Sequence, residues 1–461
     1  MKKLLTTIAT AMLLGSCGLY SKYQPITEVP DSLYGDSIRG RAIAAYEADS
    51  LGLGALPWRT VFADDSLQTL VDRALATNTD YLTASLRVDE AAATLQAARL
   101  AYLPSFALAP QASVSHFNRG QAVQTYSVPL NMSWEVDIFG RLRNAKQQAR
   151  ALYAKSRDYR QAVRTTLIAN VANAYYTLQV LREQLDITCQ TEQSWQQTLT
   201  TAKALMQAGR YDESGVAQME AAVHQVHTSV IELQTQISQT ENAMALLLAE
   251  TPRHYATAPW STVSLPDSLQ AGVPIALLSG RPDVRMAQRT VEAAFYGVGQ
   301  ARAAFYPSLT LSGSVGWTNS SGSAIINPGR LLASALGSLV APIFSRGQNL
   351  AQLKIAKAQQ EEAKLAFTQT LLSAGKEVND ALTAWQAAKD KATEIDVQVA
   401  SLEEALRSTT LLMEHGTNTY LEVLTAQQSL LSARLTRTSN NLILIQNIIN
   451  LYQALGGGQD D

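Results

Sequence analysis

From Arg141 to Ala208 the sequence runs for 68 residues without a glycine or a proline. Within that run Leu167, Val171, Ala174, Leu178, Leu181 and Leu185 recur at spacings of four and three in turn. A stripe that repeats every 3.5 residues belongs to helices packed lengthwise in coiled-coil fashion. One unbroken helix of this length would measure about 100 Å at 1.5 Å per residue, several times the width of a small domain. Such a chain cannot fold into an ordinary globule; its helices must reach across something.

The pattern resumes after Gly209 and Gly215, through Val216, Met219, Val223, Val226, Val230, Leu233, Ile237, Thr240, Met244 and Leu247. It then returns twice, from Ala381 through Trp385, Val399 and Leu406 to Met413, and from Leu421 through Leu424, Leu431, Leu435 and Ile445 to Tyr452. The return is a duplication. "ARLAYLPSFAL" at 98–108 is echoed by "ARAAFYPSLTL" at 301–311, and Pro104, Phe139 and Gly209 precede Pro307, Phe344 and Gly416 by 203, 205 and 207 residues. A repeat this long is a duplicated domain-sized unit, not a solenoid module.

Each half also carries strand signals, expected at 104–117 and 124–138 and again at 307–317 and 334–344. In the second of these, Tyr126, Val128, Leu130, Met132, Trp134, Val136 and Ile138 alternate with polar residues apart from Pro129, which places seven large apolar groups on one face. Pro104 and Pro307 stand where an alanine-rich helix must give way to a strand, since proline forbids further helix. The expected organisation is a first repeat over 62–250 with long helices at 141–208 and 212–250, and a second over 281–456 with helices at 346–415 and 418–455. A proline-broken connector (Pro252, Pro259, Pro266, Pro274) fills 251–280, an irregular segment 17–61, and a short tail 457–461.

The first residues are a processing signal. Lys2 and Lys3 precede an apolar stretch too short to span a bilayer, and "LLGSC" ends it with small residues before Cys17. Residues 1–16 read as a signal peptide and Cys17 as an acylation site, which would tether the mature chain to a membrane leaflet. Cys189 is the only other cysteine, so no disulfide framework is available. No run of eighteen apolar residues follows the signal. With 37 Lys and Arg against 39 Asp and Glu, no overall field points to nucleic acid as a partner.

Strands of this kind fit a soluble hairpin as well as a membrane barrel on periodicity alone, and the export signal favours the barrel. Four strands cannot close one: the smallest membrane barrels have about eight, and an open edge in lipid leaves backbone groups unsatisfied. Several chains would have to build one barrel together.

At this point the sequence resembles the TolC-like outer-membrane efflux channels, and most closely their lipoprotein branch, which includes OprM and CusC. The resemblance covers the mature chain and rests on "LVDRALATNTDYLTA" (70–84), "WEVDIFGRLR" (134–143), "RPDVRMAQ" (281–288), "PIFSRG" (342–347), "GTNTYLEVLTAQQSLL" (416–431) and "NLYQALGGG" (450–458), together with the repeated stretch at 301–311. It implies an α+β membrane protein whose duplicated protomer gives four strands to a trimeric twelve-stranded outer-membrane β-barrel and coiled-coil helices to a periplasmic α-barrel. The implied function is a passive exit duct of a tripartite system, a homotrimer working with a periplasmic adaptor protein and an inner-membrane RND transporter, in contact with outer-membrane lipid. Adaptor contacts are implied at the hairpin turns, Gly209, Arg210 and Tyr211 with Gly416, Thr417 and Asn418, although Met206 and Met413 replace an aromatic residue common in the family. The periplasmic gate is implied at Leu421, Glu422 and Thr425, the last at a position that is commonly Asp. Leu421 also lies on the apolar packing stripe. Three Glu422 carboxylates around an axis would repel one another and favour cations.

No catalytic set is evident, and no cofactor is expected. There is no HExxH motif among the five histidines; Glu220, His224 and His227 share a helical face at metal-ligand spacing, but such spacing is common on long polar helices. The exported cargo is expected to be small molecules such as drugs. Heavy-metal cations or type I polypeptide secretion are the alternatives within the architecture, and a pore-less coiled-coil scaffold the alternative outside it.

Overall fold

The computed structural model describes residues 21–26, 53, 56–116, 123–209, 211–260, 263, 280–319, 331–414 and 420–458. The signal segment, Cys17, most of 27–55 and most of 261–279 lie outside these residues. The elements in chain order are α1 (Trp58–Val61), α2 (Asp65–Thr77), α3 (Thr79–Leu100), β1 (Ser105–Leu108), β2 (Gln111–Ser115) and β3 (Val123–Val136). There follow α4 (Arg141–Gln207), α5 (Glu213–Leu247), α6 (Pro282–Ala303), β4 (Ser308–Asn319), β5 (Leu331–Val340), α7 (Gln348–Glu414) and α8 (Tyr420–Ala454). α4 and α7 are 67 residues each and α5 and α8 are 35 each, so the helical lengths repeat with the sequence.

The chain divides into two compact units, one of Met1–Glu28, Leu86–Asp158 and Arg285–Thr370, the other of Val29–Ser85, Tyr159–Val284 and Leu371–Asp461. The first contains an antiparallel sheet in the order β1-β3-β4-β5, with β2 also paired to β3. The first expected strand, 104–117, is two strands, β1 and β2, in one continuous register along β3: Leu108 faces Leu130 and Gln111 faces Ser127. Prolines on both sides cause the break between them. In that register Ala109 faces Pro129, whose carbonyl accepts the Ala109 N–H at 3.1 Å but which has no N–H to return. Pro110 follows without a donor of its own.

The weak alternation at 334–344 places a strand there, whereas β5 runs Leu331–Val340. Its pairing with β4 ends at Ser308↔Val340. The next pair would set Ala341 against Pro307, which cannot donate, and Pro342 then stops the strand. β3 ends at Val136, so Ile138, the last residue of the alternating run, lies in the turn that leads into α4.

The longest ladder joins the two halves of the chain, β3 to β4, from Tyr126↔Asn319 to Val136↔Leu309. It brings Pro129 opposite Gly316. A Cβ at Gly316 would lie 2.4 Å from the Val128 carbonyl oxygen and 2.5 Å from the Pro129 Cα, so only glycine fits there.

The second unit holds the main core. Trp58, Phe62, Leu67, Val71 and Ala74 from α1, α2 and the turn between them pack on Ile168, Val171, Tyr175 and Leu178 of α4, Met244 and Leu248 at the end of α5, and Ile445, Ile449 and Tyr452 of α8. Asp64 starts α2 by accepting from the Ser66 and Leu67 N–H groups at 2.8 and 3.2 Å. Its other oxygen accepts from the Tyr175 hydroxyl at 2.7 Å, and that hydroxyl accepts from the Ala258 N–H at 3.0 Å. Burial among these groups pushes the Tyr175 phenol far up from its ordinary pKa.

Arg281, buried at the start of α6, donates to the Ala454 carbonyl, Glu377 and Asp283, each at 2.7 Å. It closes the C-terminal end of α8. The expected tail is packed from its first residue: Gly457 and Gly458 are buried, the Tyr452 hydroxyl accepts the Gly458 N–H at 2.7 Å, and Thr165 and Gln161 hold their carbonyls. A Cβ at Gly457 would fall 2.4 Å from the Tyr452 ring, which explains why the motif ends in glycines.

Gly316→Ala should destabilise the assembled protein by about 1–3 kcal/mol, because the atoms it meets are backbone and cannot turn aside. Thermal unfolding in detergent measures it, with Gly337→Ala as the control, since a Cβ there meets Leu311 at an ordinary 3.5 Å.

Candidate functional site

The registers sort every strand residue onto one of two faces. Phe106, Leu108, Val114, Val128, Leu130, Met132, Trp134, Leu309, Leu311, Val315, Trp317, Leu331 and Leu339 share one face. Ser105, Ser113, Ser127, Asn131, Ser133, Glu135, Thr310, Ser312, Ser314 and Ser334 share the other. β5 is the exception, in keeping with its weak alternation, because Leu336 and Val340 fall on the polar face. The apolar face is bare within the chain: Phe106 is 63% exposed, Val114 69% and Leu331 72%. An apolar surface this large on one side of a sheet and a hydroxyl-rich surface on the other is the arrangement of a wall between lipid and water.

Both strand entries are built alike. α3 ends at Leu100 and a tight turn follows, with the Leu103 N–H donating to the Leu100 carbonyl at 2.8 Å; Pro104 then leads directly into β1. α6 ends at Ala303, the Tyr306 N–H donates to the Ala303 carbonyl at 3.0 Å, and Pro307 leads into β4. Proline at this place restricts the residue before it, Leu103 or Tyr306, to extended backbone. The Trp134 indole N–H reaches across to the Tyr102 carbonyl at 2.8 Å and satisfies a group that the broken helix leaves over. The return from sheet to helix uses Gly140 at φ 75°, the Asp137 carboxylate accepting the Leu142 and Arg143 N–H groups at 3.0 and 2.7 Å, and an Arg141–Glu135 ion pair. Phe139 stacks on Tyr306 at 5.0 Å, so the end of β3 rests on the entry to β4.

At the hairpin between α4 and α5, Gly209 takes φ 71°, the left-handed conformation that ends a helix, with open space around it. Asp212 caps α5 by accepting the Gly215 N–H at 2.5 Å. The Tyr211 ring lies over Gly215, where a Cβ would be 2.5 Å from its hydroxyl oxygen, and burial together with Asp212 raises the Tyr211 pKa. The cap was not among the residues singled out from the sequence, yet aspartate just after a helix-ending glycine is its signal. Arg210, Gly416, Thr417 and Asn418 lie outside the described residues.

Leu421, Glu422 and Thr425 open α8 on one exposed strip that continues through Gln428, Ser429 and Ser432. The Thr425 hydroxyl is turned onto the Leu421 carbonyl at 2.8 Å. Leu421 is 54% exposed and takes no part in the core, whereas Val423 and Leu424 beside it are buried. Leu424 packs with Trp195 and Leu199 of α4 and with Met219 and Val223 of α5. A second apolar face of α8, with Leu430, Ala433, Leu444 and Ile448, packs on Trp385, Ala388 and Val399 of α7. A single heptad stripe does not reveal that face, because a helix gripped from two sides has no single apolar edge. Glu220 pairs with Lys203 at 3.0 Å and His227 with Glu192 at 2.7 Å, so these side chains are directed to α4 rather than to a shared ion. Among the described residues no three His, Cys, Asp or Glu side chains are grouped to hold a metal.

Residues 70–250 and 273–457, one span from each half, match the model of the outer membrane efflux protein family. The chain belongs to that family. It is 32% identical to the cation efflux system protein CusC of Escherichia coli over 98% of this chain and 99% of that one. It is 28% identical to the toluene efflux pump outer membrane protein TtgC of Pseudomonas putida, over 99% and 96%. A crystal structure of CusC superposes with a TM-score of 0.83 at 30% identity, covering 95% of this chain and 99% of that one. The open-state MtrE outer membrane channel of Neisseria gonorrhoeae superposes at 0.79 and 30% identity, covering 86% and 90%. The fold is that of the TolC-like outer-membrane channels, and the two matched spans are the two halves of the duplication.

In this efflux protein the prolines both end a helix and start a ladder. Pro307→Ala should lower stability by about 0.4–1 kcal/mol through the freer unfolded chain alone, and should lengthen α6 toward the strand. Thermal unfolding and far-ultraviolet circular dichroism read the two effects, and an unchanged protein would show the proline to be dispensable.

Proposed function

We propose that the chain is the outer-membrane exit channel of a tripartite efflux assembly and that three copies form the conduit. The observation that carries this is the sheet, with one apolar face, one polar face and two edges, β5 and the β1/β2 line, that pair with nothing among the described residues. In lipid such edges must be closed by other copies. Two copies would give eight strand positions, a barrel whose interior side chains fill. Three give twelve and leave a lumen, which agrees with the trimer implied by the family resemblance.

In this reading the apolar face meets outer-membrane lipid, and Cys17 carries the acyl anchor on the periplasmic side. The α4–α5 turn at Gly209 to Tyr211 and its counterpart at Gly416 to Asn418 receive the periplasmic adaptor, which links the channel to an inner-membrane RND transporter. Leu421, Glu422 and Thr425, on the exposed strip of α8, line the periplasmic gate. Transport through the channel is passive, driven by the pump, and the chain performs no catalysis. Small molecules such as drugs are the cargo. A second reading, export of metal cations, is favoured by the 32% identity to a cation efflux protein and by the exposed Glu422 carboxylate.

Two measurements test the proposal. Purified protein in planar bilayers should conduct with cation preference, and Glu422→Ala should reduce that preference; unchanged selectivity would remove Glu422 from the gate. Cys17→Ala should abolish labelling by radioactive palmitate, and persistent labelling would sink the acylation site.

A further inference from the structure

The first compact unit contains a cavity of about 690 Å³ with a lopsided charge. Lys22, Arg99, Arg143, Arg150, Arg157 and Arg289 line it, and Glu292 is the only carboxylate among its described lining residues. Arg289 is compensated, 3.0 Å from Glu292 and 3.9 Å from Asp158. Arg157 lies beside Asp158 in sequence and feels its charge. Lys22, Arg99 and Arg150 add further positive charge to the wall beside these pairs, so the arrangement is suited to an anion.

The chemistry of the wall narrows the anion. Arg143, Arg150 and Arg157 stand seven residues apart on α4, two turns each time, and form a ladder with steps of about 10 Å. A guanidinium presents a planar fork of donors that matches phosphate oxygens, and several forks at different heights can hold more than one oxygen. Leu95 and Tyr296 add apolar surface beside them.

The cavity's place in the chain narrows it further. Arg99 is in the last turn of α3, just ahead of Pro104 and β1, and Arg143 is in the first turn of α4, just after β3. Lys22 is five residues from Cys17, which at no more than about 3.6 Å per residue puts it within about 18 Å of the anchor. The Tyr23 ring packs against Phe295 of α6 with ring centroids 5.8 Å apart. Basic pockets between membrane-spanning helices bind lipid headgroups, and clustered guanidiniums beside a membrane-spanning sheet offer the same donors. Resting on the membrane reading above, we propose that this cavity binds the phosphate of an anionic phospholipid from the leaflet in which Cys17 is anchored.

The test uses the full acylated protein in detergent and native mass spectrometry with added phosphatidylglycerol, phosphatidylethanolamine or inorganic phosphate. Phosphatidylglycerol should be retained about tenfold more than phosphatidylethanolamine, and the double variant Arg99→Gln, Arg150→Gln should lose about tenfold of that retention at unchanged oligomer mass. Inorganic phosphate should not displace the lipid. Equal retention by the variant, or no preference between the lipids, overturns the proposal; displacement by phosphate alone makes this a free-anion site and overturns it too. Lys22→Gln, outside every helix and strand, repeats the comparison if the double variant does not assemble. A denaturing spectrum of the same sample reads the covalent acyl mass on Cys17. Acylation without headgroup binding sinks the cavity proposal alone, and headgroup binding without acylation sinks the anchor alone.

Discussion

The ladder between β3 and β4 is the interaction on which the rest of the sheet depends. It is the one place among the described residues where a strand of the first half pairs with a strand of the second, and its register decides the face on which each strand residue lies. A slip of one residue between them would put Val315 and Trp317 on the opposite face from Trp134. The register is held where Pro129 meets Gly316, because any side chain at 316 would collide with the Val128 carbonyl. The same proline interrupts the partner line on its other side, between β1 and β2.

The edges follow from the same geometry. Pro104 and Pro307 stand immediately before the last pairs of their ladders, so the residues that end the helices also end the strands. What remains is a sheet complete on neither side and apolar across one face. Backbone groups left at such edges are tolerable in water and costly in lipid, which makes assembly with further copies a condition of the fold in a membrane.

In the second compact unit the demands differ. α8 is held from two sides, by α4 and α5 through Leu424, Ile445 and Ile449 and by α7 through Leu430, Leu444 and Ile448. Its end is closed by Arg281 and by the glycines that wrap Tyr452. The strip that begins at Leu421 is left open, and it carries the residues assigned to the gate.

Much of this was legible in the residues themselves. The duplication, the long helices and the helix-to-strand changes at Pro104 and Pro307 are local properties, written in periodicity and in the restrictions that proline imposes on its own backbone. The two faces of β3 were legible for the same reason, since alternation needs no knowledge of a partner. The split of the first strand, the early end of β5, the second apolar face of α8 and the basic cavity were not. Each depends on which residue stands opposite which, across separations of tens to hundreds of positions. A proline missing a donor matters only once its register partner is known, and arginines scattered over three helices become one charged site only when packing brings them to one wall. The elements and their order are therefore properties of local stretches of chain, while their pairing arises in the folded molecule, because it is set by contacts that no local pattern records.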